Sequence, residues 1–127
     1  MSEHLLIVED DSEMRELLRK VLEKEGYRVS VAEDGRVAMT FLSQSPCDLV
    51  VTDMLMPEDD GLELLQVVHR TRPTLPVIII TAFGDWGTYS RALDLGAAAF
   101  ISKPLKLAEL IGAIHTALAR PGAGQAV

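Results

Sequence analysis

Residues 48–61 read DLVVTDMLMPEDDG. Leu49, Val50 and Val51 are an apolar run of strand length with no polar alternation, the pattern of a strand covered on both faces. It runs into a carboxylate, Asp53, and Pro57 stiffens the loop behind it. Four other short runs resemble it: Leu5 to Val8, Val29 to Val31, Val77 to Ile80 and Phe100 to Ile101. Stretches of helical period separate them, so the chain reads as five strand-helix units. Strands joined by helical crossovers pair in parallel, and the crossovers are right-handed. The expected fold class is α/β, a five-stranded parallel sheet with helices on both faces. RVSV at 28–31 alternates polar with apolar, which marks the second strand as an edge.

The helices carry their own punctuation. Ser12 is the expected N-cap of the first, and Met14, Leu17, Leu18, Val21 and Leu22 form its apolar stripe up to a closing Gly26. Val37, Ala38, Phe41 and Leu42 mark a second helix that ends before Ser45-Pro46. Asp60 with Glu63 reads as a cap pair opening a third, which Arg72-Pro73 terminates. A fourth is expected over 85–95 with Gly96 as its stop, and a fifth places Leu107, Leu110, Ile111, Ile114 and Leu118 on one stripe.

Composition excludes several classes of function. A chain of 127 residues makes one domain, here residues 1–120, with 121–127 read as a flexible tail or the start of a linker. The longest apolar run, near Leu75 to Ala82, falls far short of the ~20 residues of a membrane span. A net charge of −7 without a basic stripe argues against direct nucleic-acid binding. One cysteine, Cys47, allows no internal disulfide, and MSEH is not a secretory signal, so a cytoplasmic protein is expected. His4, His69 and His115 have no metal-site spacing and read as surface or satisfied residues.

In open parallel sheets the ligand sits beyond the carboxyl ends of the strands. There the first strand presents Glu9-Asp10-Asp11, the third Asp53, the fourth Thr81 and the fifth Ser102-Lys103-Pro104. Crowded carboxylates repel, so either one is protonated or a cation sits among them. An oxygen-only cluster suits Mg²⁺, and a metal, a lysine and a hydroxyl together can stabilise a phosphoryl group in transit. Alone, Asp53 would read as a turn or capping residue; the company of Asp10, Thr81 and Lys103 decides otherwise. Asp11 reads as a solvated residue preceding a helix start, and Glu58-Asp59-Asp60 as a polar turn with a cap.

These residues carry a resemblance. LLIVEDDSEMR, DLVVTDMLMP followed by DGLELL, PVIIITA and LGAAAFISKP resemble, in order and spacing, the receiver domain of two-component response regulators, over residues 4 to about 119. The resemblance implies a flavodoxin-like (βα)5 fold with strand order 2-1-3-4-5. It implies that Asp53 is the phosphoacceptor, taking a phosphoryl group from a histidine kinase, a phosphotransfer protein or a small acyl phosphate. Mg²⁺, or Mn²⁺, would be held by Asp10, Asp53 and the Leu55 backbone carbonyl, with Glu9 acting through water. Lys103 and Thr81 would contact phosphoryl oxygens, and Thr81 with Phe100 would form the switch. Lys103-Pro104 would be cis. The output domain or partner would meet the face of the fourth helix, fifth strand and fifth helix, where Trp86 and Tyr89 fall. Such a chain is no enzyme beyond its own phosphorylation and dephosphorylation.

Departures from the family pattern are few. Glu9 replaces the common Asp, Phe100 lacks the frequent tyrosine hydroxyl, Asp59 holds a position that is often apolar, and Lys106 stands where an acidic cap is usual. A phosphohydrolase with an aspartate nucleophile would need an acid two residues on, where Leu55 stands. A flavin module would meet repulsion from EDDSEM. A receiver that docks without phosphorylation is the remaining alternative. Leu55 and Phe83 hold the two positions that line the path of hydrolytic water in the family, and both are bulky and apolar, whereas Ala82 leaves room for a donor. Autodephosphorylation should therefore be slow. Leu55→Asn should shorten the half-life of the phosphorylated chain, and a longer half-life would contradict this reading.

Overall fold

A computed structural model describes residues 2–53, 61–81 and 86–119. Five strands, β1 (His4–Val8), β2 (Arg28–Ala32), β3 (Leu49–Asp53), β4 (Val77–Thr81) and β5 (Ala99–Ser102), form one parallel sheet in the order β2-β1-β3-β4-β5. Five helices alternate with them: α1 (Ser12–Lys24), α2 (Gly35–Gln44), α3 (Gly61–Thr71), α4 (Trp86–Asp94) and α5 (Leu107–Ala119). Both the expected architecture and the expected order are observed. β2 is an edge strand, with only Ala32 fully buried.

Alternation along the strands divides the core in two. Leu6, Val8, Val50, Val77 and Ile79 pack with Ala38 and Leu42 of α2, Leu64, Leu65 and Val68 of α3, and Ala92 of α4. Leu5, Ile7, Leu49, Val51, Ile78, Ile80 and Ile101 pack on the other side with Leu18 and Leu22 of α1 and Leu110, Ile114 and Ala117 of α5. Each fully buried Leu, Ile or Val contributes about 1.5–3 kcal/mol by leaving water. All five positions of β3 are buried, and so are all five of β4, as the unbroken apolar runs require. Cys47 is buried as well, which pushes its thiol up to about 11.

Three local expectations are corrected. Asp11, not Ser12, is the N-cap of α1: Asp11 is extended (φ −77, ψ 115) and its carboxylate accepts from the Glu13 N–H at 3.0 Å, whereas Ser12 is already helical. A carboxylate at this end also meets the positive pole of the helix. Leu17 leaves the apolar stripe and is 46% exposed; Leu18 and Leu22 alone bury fully on α1. Ala117, absent from the expected α5 stripe, is buried with Leu110 and Ile114. The cap pair expected at Asp60, the helix start at Asp85 and the tail at 121–127 lie outside the described residues.

Gly26 and Gly96 end α1 and α4 with φ of 100° and 93°, as expected of residues that stop helices. Their surroundings differ. A Cβ on Gly26 meets nothing within 4 Å, whereas one on Gly96 would lie 2.6 Å from Nδ1 of His69 on α3. Gly26→Ala should cost about 1–2 kcal/mol, the penalty of a left-handed backbone alone. Gly96→Ala should cost more in chemical denaturation, and adding His69→Ala should bring the loss back to the Gly26 level.

Candidate functional site at the carboxyl edge of the sheet

Parallel pairing delivers four side chains to one edge. Val8 pairs with Thr52, so Glu9 emerges abreast of Asp53; Asp53 pairs with Ile80, and Thr81 with Ser102, next to Lys103. Glu9, Asp53 and Thr81 are buried, at 3%, 6% and 4% exposure, while Asp10 is exposed. One carboxylate oxygen from each of Glu9, Asp10 and Asp53 lies within 4.8 Å of the others. The Lys103 ammonium donates to Asp53 Oδ2 at 2.8 Å, and the Lys103 backbone N–H donates to the Thr81 carbonyl at 2.6 Å. Lys103-Pro104 is cis, as expected.

Burying charge without full pairing shifts proton affinities. Burial pushes the Glu9 carboxyl up to about 7; the Asp11 backbone N–H and the Lys103 charge oppose this, and the Asp10 side chain and the Asp53 charge add to it. Burial alone would lower the Lys103 pKa, but its hydrogen bond to Asp53 and the charges of Asp53, Glu9 and Asp10 raise it overall. Lys103 therefore stays cationic. Among the described residues, the Lys103 ammonium is bonded to this cluster of three carboxylates, and the raised Glu9 reflects burial with added repulsion from Asp53. Oxygen donors alone, closely grouped, fit a hard divalent cation such as Mg²⁺.

The structure thus brings together Glu9, Asp10, Asp53, Thr81 and Lys103. Leu55, expected to lend its carbonyl, lies outside the described residues, as do Ala82 and Phe83. Phe100 sits on β5 beside Ile79 of β4, half-buried against the core on the side of α2, α3 and α4. Asp11 contributes its backbone N–H to Glu9 Oε2 at 3.1 Å and its carboxylate to α1, consistent with its reading as a residue at a helix start. His4 is satisfied, its ring Nε2 lying 2.7 Å from Ser30 Oγ. Sequence reading passed over Arg15, whose guanidinium Nη1 donates to the Glu9 carbonyl at 2.8 Å. No spacing rule flags a contact six residues apart between a strand end and a helix, although side chains in a helix do lean toward its N-terminus.

A carboxyl whose pKa is higher in the folded chain than in the unfolded one destabilises the fold only where it is ionised. For Glu9 this cost is absent below the ordinary value of 4.5 and complete above about 7. In chelator-treated buffer the urea midpoint should fall as pH rises from about 5 to about 8, and fall less in Glu9→Gln. Parallel curves for the two proteins would refute this assignment.

Comparison with known proteins gives the arrangement a context. Residues 5–115 match the family model described as the response regulator receiver domain. The chain is similar to the DNA-binding transcriptional regulator NtrC of Rhizobium meliloti, with 35% identity over 117 residues, 92% of this chain and 24% of that protein. It is also similar to the response regulator MprA of Mycolicibacterium vanbaalenii, with 36% identity over 129 residues, 98% of this chain and 56% of that protein. The chain therefore spans well under two thirds of the length of these relatives. Among solved structures, the non-phosphorylated HemR receiver domain from Leptospira biflexa superposes with a TM-score of 0.88 at 32% identity, covering 94% of this chain and 98% of that one. A CheY-like receiver domain protein from Methanospirillum hungatei gives 0.89 at 29% identity, covering 93% and 94%.

Proposed function

The chain belongs to the response regulator receiver domain family of two-component signalling, and from that premise we propose that Asp53 is its phosphoacceptor. The observation that carries the reading is the meeting of Asp53 with Glu9, Asp10 and Lys103 at the carboxyl edge of the sheet. An Asp53 carboxylate oxygen attacks the phosphorus of a phosphohistidine on a partner kinase or phosphotransfer protein. A P–O bond forms, the P–N bond breaks, and the imidazole leaves with its electron pair, neutral where its other nitrogen carries a proton. Lys103, already 2.8 Å from Asp53, transfers its contact to a phosphoryl oxygen as the charge develops. The hydroxyl of Thr81 donates to another. Asp53 stands on a strand buried at all five positions, so its attack geometry is fixed before the donor arrives.

Asp10, Asp53 and the Leu55 carbonyl would hold Mg²⁺ or Mn²⁺ directly, with Glu9 contacting it through water. That ion would supply positive charge against the phosphoryl oxygens. The switch pairs Thr81 with Phe100: the threonine moves toward the phosphoryl group and the aromatic ring turns inward behind it. Its readout is a partner or output domain at the surface of α4, β5 and α5. We take residues 1–120 as the receiver unit, acting in the cytoplasm without direct contact to nucleic acid and without turnover of other substrates. No helix of the described residues is long and apolar enough to cross a membrane.

Intact-mass measurement after incubation with Mg²⁺ and acetyl phosphate should show the gain of one phosphoryl group in the parent and none in Asp53→Asn. Lys103→Ala should slow the gain by at least tenfold, since a preorganised charge on the transferring group is lost. No gain in the parent, or an equal gain in Asp53→Asn, would overturn the proposal. The first result would favour a receiver that docks without phosphorylation.

A further inference from the structure

The backbone of Glu9 is held from both sides. Its N–H donates to the Ala32 carbonyl of β2 at 3.0 Å, and its carbonyl accepts from Arg15 Nη1 at 2.8 Å. The pairing of β1 with β3 ends at Val8 and Thr52, so the donor to that carbonyl comes from α1 through Arg15. Arg15 is itself anchored, because its backbone N–H donates to the Asp11 carbonyl at 2.9 Å. Asp11 in turn donates its N–H to Glu9 Oε2 at 3.1 Å. These contacts close a ring through Glu9, Arg15 and Asp11, and Asp10 is the residue enclosed by it.

We propose that Arg15 is a positioning residue for a divalent cation: by clamping the Glu9-Asp10 peptide, it makes the carboxylates of Glu9 and Asp10 converge on Asp53. The inference rests on the reading of this cluster as a cation site. Arg15 touches neither the ion nor a carboxylate in this scheme; its guanidinium is committed to a carbonyl oxygen. Two opposite expectations follow from removing it. If the charge of Arg15 were what mattered, losing a cation near a cation site would tighten Mg²⁺ binding. If the clamp matters, losing it loosens two of the three carboxylates and weakens binding.

Mg²⁺ binding to the whole chain is measured by titration calorimetry, with circular dichroism confirming that each variant is folded at the temperature used. The parent should bind and Asp53→Asn should bind far more weakly. Arg15→Met keeps the apolar stem without a donor, and Arg15→Gln is too short to reach the carbonyl. Both should bind Mg²⁺ about tenfold more weakly, the usual scale for partners that orient metal ligands. Arg15→Lys, with one donor on a flexible stem, should recover part of the loss. Unchanged or tighter binding in the folded Met or Gln variant would overturn the role of Arg15 while leaving the cation site intact. No binding by the parent, or binding indifferent to Asp53→Asn, would remove the site and this inference together.

Discussion

Three carboxylates within 4.8 Å of one another, two of them buried, meet the Lys103 ammonium at the end of the sheet. Left to themselves such groups would separate, since like charges at this range repel more strongly the less water stands between them. They stay together because Glu9 and Asp10 follow one strand and Asp53 ends another, and the positions of both strands are set by apolar packing elsewhere. Glu9 follows β1, Asp53 ends β3, Lys103 follows β5, and none can retreat without disturbing the ladder behind it. The sheet thus holds a concentration of negative charge that has little favourable interaction of its own. Glu9 shows the cost, in a carboxyl that holds its proton to about pH 7.

Both core clusters contribute to this confinement. Residues of β3 alternate between them, Val50 facing α2, α3 and α4 and Val51 facing α1 and α5. Neither face is free to relax, so Asp53 inherits the rigidity of a strand sandwiched at every position. Thr81 closes β4 in the same way. Phe100 differs: β5 is an edge strand, Ala99 and Phe100 are only half-buried, and Ser102 is exposed. A large ring that has to rearrange is better placed on such a strand than in the middle of β3 or β4, where its movement would open a void in a close-packed core. Phe100, the aromatic part of the proposed switch, therefore lies on a more loosely packed strand than Asp53.

Much of this was legible because it follows from one-dimensional pattern. Buried parallel strands leave unbroken apolar runs, and LVV followed by Asp53 or VIII followed by Thr81 shows both the strand and the point at which it meets solvent. Helix ends were legible where glycine or proline marks them, as at Gly26, Gly96 and Pro73. What escaped depends on geometry across elements. Ser12 and Asp11 are both good caps, and only the backbone angles decide between them. Leu17 fits the apolar period of α1, but neighbouring Leu18 and Leu22 fill the contact with the sheet and leave it outside. Arg15 has no signature at all, because a guanidinium bound to a carbonyl depends on where a strand end lies relative to a helix.

The ion pair between Lys103 and Asp53 links the resting arrangement to the proposed chemistry. The Lys103 ammonium is bonded to Asp53, and its own proton is held more firmly by the acids around it. That contact lowers the nucleophilicity of the Oδ2 oxygen it touches. Phosphorylation adds acceptor oxygens and close to two negative charges in the same space. The ammonium then has better partners than the carboxylate it leaves, and its backbone N–H, bonded to the Thr81 carbonyl, ties that shift to the end of β4. A single lysine would thereby connect the charge on Asp53 to Thr81, whose movement is proposed to drive the switch. Its replacement by a neutral side chain would uncouple the two even where the phosphoryl group still reached Asp53.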